Sequence, residues 1–156
     1  MGDPTEQAAG RVCIVPCSGI GKTYGTVTRE AAYVVTEELR PGSTAVVPLS
    51  LLVLGDQAAR EALQTAPALT LDGCKLACAT KLVRESGGTV AQDFTVLDTF
   101  RKNRGLKPAG IAELNEGGLA LARALAAEVA EAADALSVAD ALSVADALLA
   151  GGVRDA

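Results

Sequence analysis

Four short apolar segments, separated by stretches with helical periodicity, constrain the fold of this 156-residue chain most strongly. These segments predict β-strands at 11–16, 44–48 (with an apolar continuation to 54), 68–72 and 93–98. Helices are predicted between the strands, at 25–39, at 57–65 after an N-cap at Asp56, and at 74–85. Continuous apolar strands that alternate with helices favour a parallel sheet covered on both faces.

We therefore expect a small three-layer α/β domain with a four-stranded, mostly parallel sheet. Its strand order should be 2-1-3-4, the arrangement of Rossmann-like and flavodoxin-like folds, with an Ala-rich helix added at the C-terminus. In such sheets, ligands bind beyond the carboxyl ends of the strands, where the winding reverses between strands one and three. Cys17 follows the first of these strands and Cys74 follows the third.

The last part of the chain differs in composition. Residues 111–156 contain 2 basic and 8 acidic residues, whereas residues 1–110 contain 12 and 11. An Ala-rich helical stretch from about Gly118 ends in the repeat ALSVADALSVADALLA, whose Leu136, Leu142 and Leu148 project from three sides of a helix. We predict an α/β domain at 1–110 and a low-complexity helical tail at 111–156. The alternative for the tail is a helix that binds a protein partner or self-associates.

Composition also excludes several kinds of partner. With 3% aromatic residues and no basic stripe, nucleic-acid binding has no support. The apolar run 12–16 is too short for a signal peptide, and the run 45–54 is too short to span a bilayer. We expect a cytoplasmic protein with no membrane partner. Thiols stay reduced there, so the 4 cysteines favour metal binding or catalysis over disulfides.

The glycine-rich segment VPCSGIGKTYG after the first strand resembles a phosphate loop only in part. It ends in Gly-Lys-Thr, but the first glycine of the P-loop pattern is replaced by Pro16, which has no N–H to offer a phosphate. A degenerate nucleotide-binding loop is thus a less favoured alternative. A cysteine phosphatase would need an arginine six residues after the cysteine, and threonine stands there after both Cys17 and Cys74.

The cysteines form two pairs of equal spacing, Cys13 with Cys17 and Cys74 with Cys78, and the chain has no histidine. On the predicted helix, Cys74 and Cys78 would project from one face. Cys17 would lie at a helix N-terminus, where a thiol pKa is lowered. Thiolates gathered in this way suit zinc or an iron–sulfur cluster. Cys13 lies about 13 Å along an extended strand from Cys17, so it packs in the core unless Pro16 bends the chain.

Four separated motifs, PCSGIGK, TREAAY, LDGC and CATK, resemble those of the DGC-domain proteins, a zinc-binding family with four chelating cysteines. The likeness runs from about Val12 to Asp98 and does not reach the repeat. It implies Cys17, Cys74 and Cys78 as ligands. The family's remaining cysteine lies in the middle of the chain, before the DGC strand, where this chain has Leu, Ser, Ala and Pro but no cysteine.

Our hypothesis is a site for one metal ion, zinc with an iron–sulfur cluster as the alternative, held by Cys17, Cys74 and Cys78. Cys13 is the candidate fourth ligand. Backbone N–H groups of Ser18, Gly19, Ile20 and Gly21 would support the cofactor, Lys22, Lys75 or Lys81 would offset its charge, and Asp72 would orient a ligand or bind weakly. A thiol-redox protein is a further alternative. The sequence does not decide whether the protein is an enzyme.

Overall fold

The computed structural model describes residue 8 and residues 10–151. Within these residues, the strands are β1 (Val12–Pro16), β2 (Thr44–Val46), β3 (Ala68–Asp72) and β4 (Val90–Thr95). They form a four-stranded sheet of order β2-β1-β3-β4, and every neighbouring pair is parallel. The predicted α/β fold class and strand order are therefore confirmed.

Helices connect and cover the strands. They are α1 (Thr23–Tyr33), which continues as a π-helical segment (Val34–Leu39), α2 (Leu49–Leu54), α3 (Gln57–Thr65), α4 (Cys78–Glu85), α5 (Val96–Lys102) and α6 (Glu116–Gly151). Among the described residues, none of these helices combines the length and the hydropathy that crossing a bilayer needs.

Two hydrophobic cores lie on opposite faces of the sheet. Val12 and Ile14 of β1 pack in one core with residues of α1 and α6, while Cys13 and Val15 pack in the other with residues of α2, α3 and α4. The alternation follows from the two-residue period of a strand. All five residues of β1 and all five of β3 are buried, because these central strands are covered on both faces.

Three predicted elements differ from the structure. The apolar run after β2 is a short helix, α2, which ends at Gly55 in the left-handed conformation (φ 80°); a short apolar run does not distinguish strand from helix. The helix predicted from Cys74 begins only at Cys78. The fourth strand spans Val90–Thr95, and the Thr95 side chain then caps α5, a helix that was not predicted.

Helix α6 has two parts with different surroundings. Its first half contributes Leu121, Leu125 and Val129 to the core beside α1, and each of these is fully buried. Farther along, Leu142 and Leu148 are 62% and 73% exposed. The helix predicted from about residue 118 is present, and residues up to about 133 share the core of the sheet. The division of the chain near residue 110 stays a prediction.

Candidate functional site

The loop after β1 is held against the end of β3. The backbone N–H of Cys17 donates to the carbonyl oxygen of Leu71 at 2.8 Å, which extends the pairing of the two strands. The Thr28 hydroxyl of α1 lies 3.1 Å from the carbonyl oxygen of Cys17. Both main-chain polar groups of Cys17 are therefore fixed at the point where the winding of the sheet reverses.

Glycines allow three backbone segments to meet at this point. A Cβ on Gly73 would lie 3.1 Å from the backbone N of Gly25, so the loop after β3 rests directly on the start of α1. Gly19 adopts a left-handed conformation (φ 47°) in contact with Gly25. The close packing of these glycines positions the loop after β1, the loop after β3 and the first turn of α1 around the Cys17 side chain.

The Cys17 sulfur lies in a mixed electrostatic environment. The residue is 6% exposed, and the burial of its thiol raises its pKa above the usual value. Hydrogen bonds from the backbone N–H groups of Gly73 and Gly19 oppose that rise, while the nearby charges of Asp72 and Cys78 add to it. The neighbouring N–H groups would stabilise a thiolate once another group, such as a metal ion, compensated for its burial.

Asp72 fixes the start of α4. Its Oδ1 accepts the backbone N–H of Ala79 at 2.8 Å, and its Oδ2 accepts the N–H and the hydroxyl of Thr80 at 3.2 and 2.6 Å. The side chain is 2% exposed. Asp72 thus caps the helix whose first residue is Cys78, and its oxygens are already engaged by protein donors, which disfavours the predicted role as a weak ligand.

Cys74 lies on a turn, contrary to the predicted helical pair with Cys78. The backbone N–H of Ala77 donates to the carbonyl oxygen of Cys74 at 3.1 Å, and Ala77 has the left-handed φ of 51°. The prediction failed because Asp72 caps α4 at Ala79 and Thr80, so that the helix begins four residues later. Cys74 is half-buried and Cys78 is exposed.

Cys17 lies directly after β1, Cys74 on the turn after β3 and Cys78 at the start of α4, so all three belong to the carboxyl edge of the sheet. A negative charge on Cys78 would contribute to raising the pKa of the Cys17 thiol. Among residue 8 and residues 10–151, no three acidic or cysteine side chains form a cluster arranged to hold a metal ion. The three-thiolate ligand set therefore stays a prediction.

Cys13 lies in the core, on the face covered by α2, α3 and α4. It is fully buried, its Sγ is 3.7 Å from the carbonyl oxygen of Ala62, and burial raises its pKa to about 11. A thiol that resists ionisation and bonds to the core backbone is a poor metal ligand. Its surroundings favour the packing role over that of a fourth ligand.

The loop predicted to support a cofactor is mostly exposed. Ser18, Gly21 and Lys22 are exposed, and Gly21 has a left-handed φ of 80°. Lys22 occupies the N-cap position of α1, and its carbonyl oxygen accepts the N–H of Gly25 at 3.0 Å. Within this loop, the backbone N–H of Gly19 contributes to lowering the pKa of the Cys17 thiol, against the larger effect of burial.

Arg29 was missed by the sequence reasoning. It lies on α1, and its guanidinium donates to the carbonyl oxygen of Ser18 and, at 3.0 Å, to the hydroxyl of Thr26. Arg29 and Tyr33 are four residues apart on the helix that follows the cysteine loop, so both face the same side near the carboxyl edge. The four-residue spacing of Arg29 and Tyr33 is the sequence feature from which their shared position on α1 could be predicted.

The protein is a parallel α/β domain with cysteines in the loops that follow its two central strands, β1 and β3. Residues 13–117 match the DGC domain, and the chain belongs to the DGC-domain family. Comparison with curated proteins and comparison with solved structures each gave no significant match.

Proposed function

We propose that the protein binds a zinc ion through the thiolates of Cys17, Cys74 and Cys78. The observation that carries this proposal is the position of Cys17, a buried residue at the carboxyl edge of the sheet, with Cys74 and Cys78 following the neighbouring strand β3. The backbone N–H groups of Gly73 and Gly19 favour the Cys17 thiolate and oppose the rise of its pKa caused by burial. Membership of the DGC-domain family supports metal binding in general terms. A buried thiol supplied with amide donors and a second thiol is suited to ionise when a cation arrives.

The donor set fits zinc in its chemistry. The chain has no histidine, and thiolates are ligands that zinc and iron–sulfur clusters both accept. Because the three cysteines do not form a metal-binding cluster among the described residues, their sulfurs have to move together on binding, and we expect the turn from Cys74 to Ala77 to make this adjustment. Ala77 holds a left-handed conformation that costs a non-glycine residue about 1 kcal/mol, so a change of this turn would relieve strain.

The residues around the sulfurs have separate roles in this proposal. Gly19 and Gly73 donate N–H groups to the Cys17 thiolate, and Asp72 fixes the start of α4 at Cys78. Three thiolates and one zinc ion carry a net negative charge, which the exposed Lys22, Lys75 and Lys81 would offset. A zinc ion with three protein ligands keeps one coordination position open for another molecule.

Metal analysis tests the proposal. Protein purified without chelator should contain about one zinc and no iron per chain. Dialysis against a mild chelator should remove zinc from Cys17→Ala, Cys74→Ala and Cys78→Ala, but not from the parent protein or from Cys13→Ala, the matched cysteine control. A brown protein that contains iron and sulfide would favour the iron–sulfur alternative. Folded protein that takes up neither metal would contradict the proposal.

Thiol–disulfide exchange is a second candidate, because Cys17 follows β1 and Cys78 begins the helix after the neighbouring strand β3, and a charge on Cys78 affects the pKa of the Cys17 thiol. In this case, both thiols would lose their protons and together two electrons to glutathione disulfide. A Cys17–Cys78 disulfide and two molecules of glutathione would form. Peptide mapping without reductant would identify the bond. Its absence after incubation with glutathione disulfide, in metal-free folded protein, would contradict this candidate.

A further inference from the structure

A pocket of about 150 Å³ opens beside Cys17. Much of its wall is apolar and comes from the ends of two strands and the start of α2, namely Pro16, Val46, Pro48 and Leu49. The pocket thus adjoins Cys17 at the carboxyl edge of the sheet, where open α/β sheets bind their ligands.

Arg29 supplies a positive charge to the same pocket, and Tyr33 also lines it. The hydrogen bonds described above use two of the five N–H donors of the guanidinium. None of the ion pairs found among the described residues involves Arg29. The guanidinium therefore retains both its charge and several N–H groups for a ligand.

We propose that this pocket binds a small carboxylate with an apolar body. The carboxylate would pair with Arg29, since the planar guanidinium matches a carboxylate in geometry and charge. The body of the ligand would lie against the apolar wall, beside Cys17. The apolar wall favours an organic acid over inorganic phosphate. This inference does not require a metal at Cys17, so it goes beyond the proposed function.

Alkylation of Cys17 measures the charge preference of the pocket directly. Iodoacetate and iodoacetamide have nearly the same shape, but only iodoacetate carries a carboxylate. With either reagent, a sulfur–carbon bond forms as the carbon–iodine bond breaks and iodide leaves. Because the same thiolate reacts with both, the ratio of the two rates cancels any change in its pKa. The reduced, metal-free full chain would be used, with rates at each cysteine followed by mass spectrometry.

At Cys17, replacing Arg29 with glutamine should lower the iodoacetate-to-iodoacetamide ratio about fivefold, equivalent to ~1 kcal/mol. The Arg29→Lys variant should keep most of the preference of Cys17 for iodoacetate over iodoacetamide, because lysine retains the positive charge. Arg84→Gln, the same charge change in the last turn of α4, is the matched control and should leave the ratio unchanged. The ratio at exposed Cys78 serves as an internal reference within each sample.

Competition provides a second measurement. Butyrate should slow the alkylation of Cys17 by iodoacetamide in the parent protein, and butyramide, its neutral counterpart, should not. Equal protection by the two compounds, or by neither, would overturn the proposal. So would a ratio that Arg29→Gln leaves unchanged, or a Cys17 that neither reagent reaches in the folded protein. Failure to bind zinc would leave these rates unaffected, so the two proposals can fail separately.

Discussion

Gly19 and Gly25 are in backbone contact, and a Cβ placed on either residue would lie 2.3 Å from the Cα of the other. No real Cβ contact is that short, and neither backbone has a flexible side chain that could move aside. The pair joins the loop after β1, which begins at Cys17, to the first turn of α1.

The first prediction concerns Gly25→Ala. Helix propensity alone would make this substitution in α1 stabilising by about 1 kcal/mol. The contact with Gly19 should reverse the sign and lower the free energy of unfolding by about 1–3 kcal/mol. Urea unfolding measures the effect. Gly42→Ala is the control, because a Cβ there would meet nothing within 4 Å. An unchanged or more stable Gly25→Ala would contradict the described contact.

The second prediction compares two helix-capping aspartates. Asp72 is buried and accepts hydrogen bonds from Ala79 and Thr80, whereas the Asp56 side chain accepts one bond, from Ala59 at 2.8 Å. Asp72→Ala should therefore cost about 2–4 kcal/mol of unfolding free energy, since it leaves buried N–H groups without an acceptor. Asp56→Ala should cost about 1 kcal/mol.

Chemical unfolding of both aspartate variants at pH 7 provides the comparison. Asp72→Asn should restore little of the stability lost in Asp72→Ala, because the amide nitrogen of the asparagine would face N–H donors. Equal losses for the Asp72 and Asp56 variants would be inconsistent with the larger role given to Asp72.

The third prediction concerns the pH dependence of stability. Burial raises the pKa of Cys13 from 9.0 to about 11. Between these values the unfolded chain has lost this proton and the folded chain retains it, so stability must fall as pH rises. The contribution is fully present below pH 9 and declines by about 1 kcal/mol per pH unit above it.

Urea unfolding of the parent protein and of Cys13→Ala, from pH 8 to pH 10.5, tests this linkage. The variant should be about 1–2 kcal/mol less stable at pH 8, owing to the lost buried sulfur. The difference should shrink as pH rises, because only the parent protein loses the Cys13 contribution. A difference that stays constant over this range would show that Cys13 ionises as easily in the folded state as in the unfolded state.

The fourth prediction separates the two halves of α6. Leu125 is fully buried in the core, whereas Leu142, Leu148 and Leu149 are all more than 60% exposed. Leu125→Ala should lower the free energy of unfolding by about 2–5 kcal/mol. Ending the chain after Asp140 should change it by less than about 0.5 kcal/mol, because none of the residues described after Asp140 belongs to either core. A truncation as costly as Leu125→Ala would mean that the distal half of α6 has a stabilising contact of its own.

Much of the fold could be predicted because it depends on local patterns. The strand at 68–72 was predicted with the bounds observed, and Asp56 caps α3 as expected, because apolar runs and N-caps act over a few residues. The strand order followed from the alternation of strands and helices. The start of α4 could not be predicted in this way, since the carboxylate that caps it belongs to Asp72, seven residues before Ala79 and on another element.

The candidate site could be predicted to the extent that topology determines it. Placing Cys17 after β1 and the DGC motif after β3 was sufficient to bring the two loops to one edge. The turn that carries Cys74 depends on the left-handed Ala77, a conformation that alanine rarely adopts and no propensity rule indicates. The role proposed for Arg29 depends on a pocket built from four separate elements, β1, α1, β2 and α2, which the order of residues does not reveal.

The separation of Cys17 and Cys78 along the chain has a consequence for biosynthesis. Cys78 leaves the ribosome about 60 residues after Cys17, a delay of roughly 3–12 s at the usual rates of translation, 5–20 residues per second. For most of that interval the nascent chain carries an exposed Cys17 thiol, because β3 and Gly73, which cover it in the folded protein, have not yet left the ribosome. Oxidative damage to Cys17 should therefore arise mainly on ribosome-bound chains, before folding buries the sulfur.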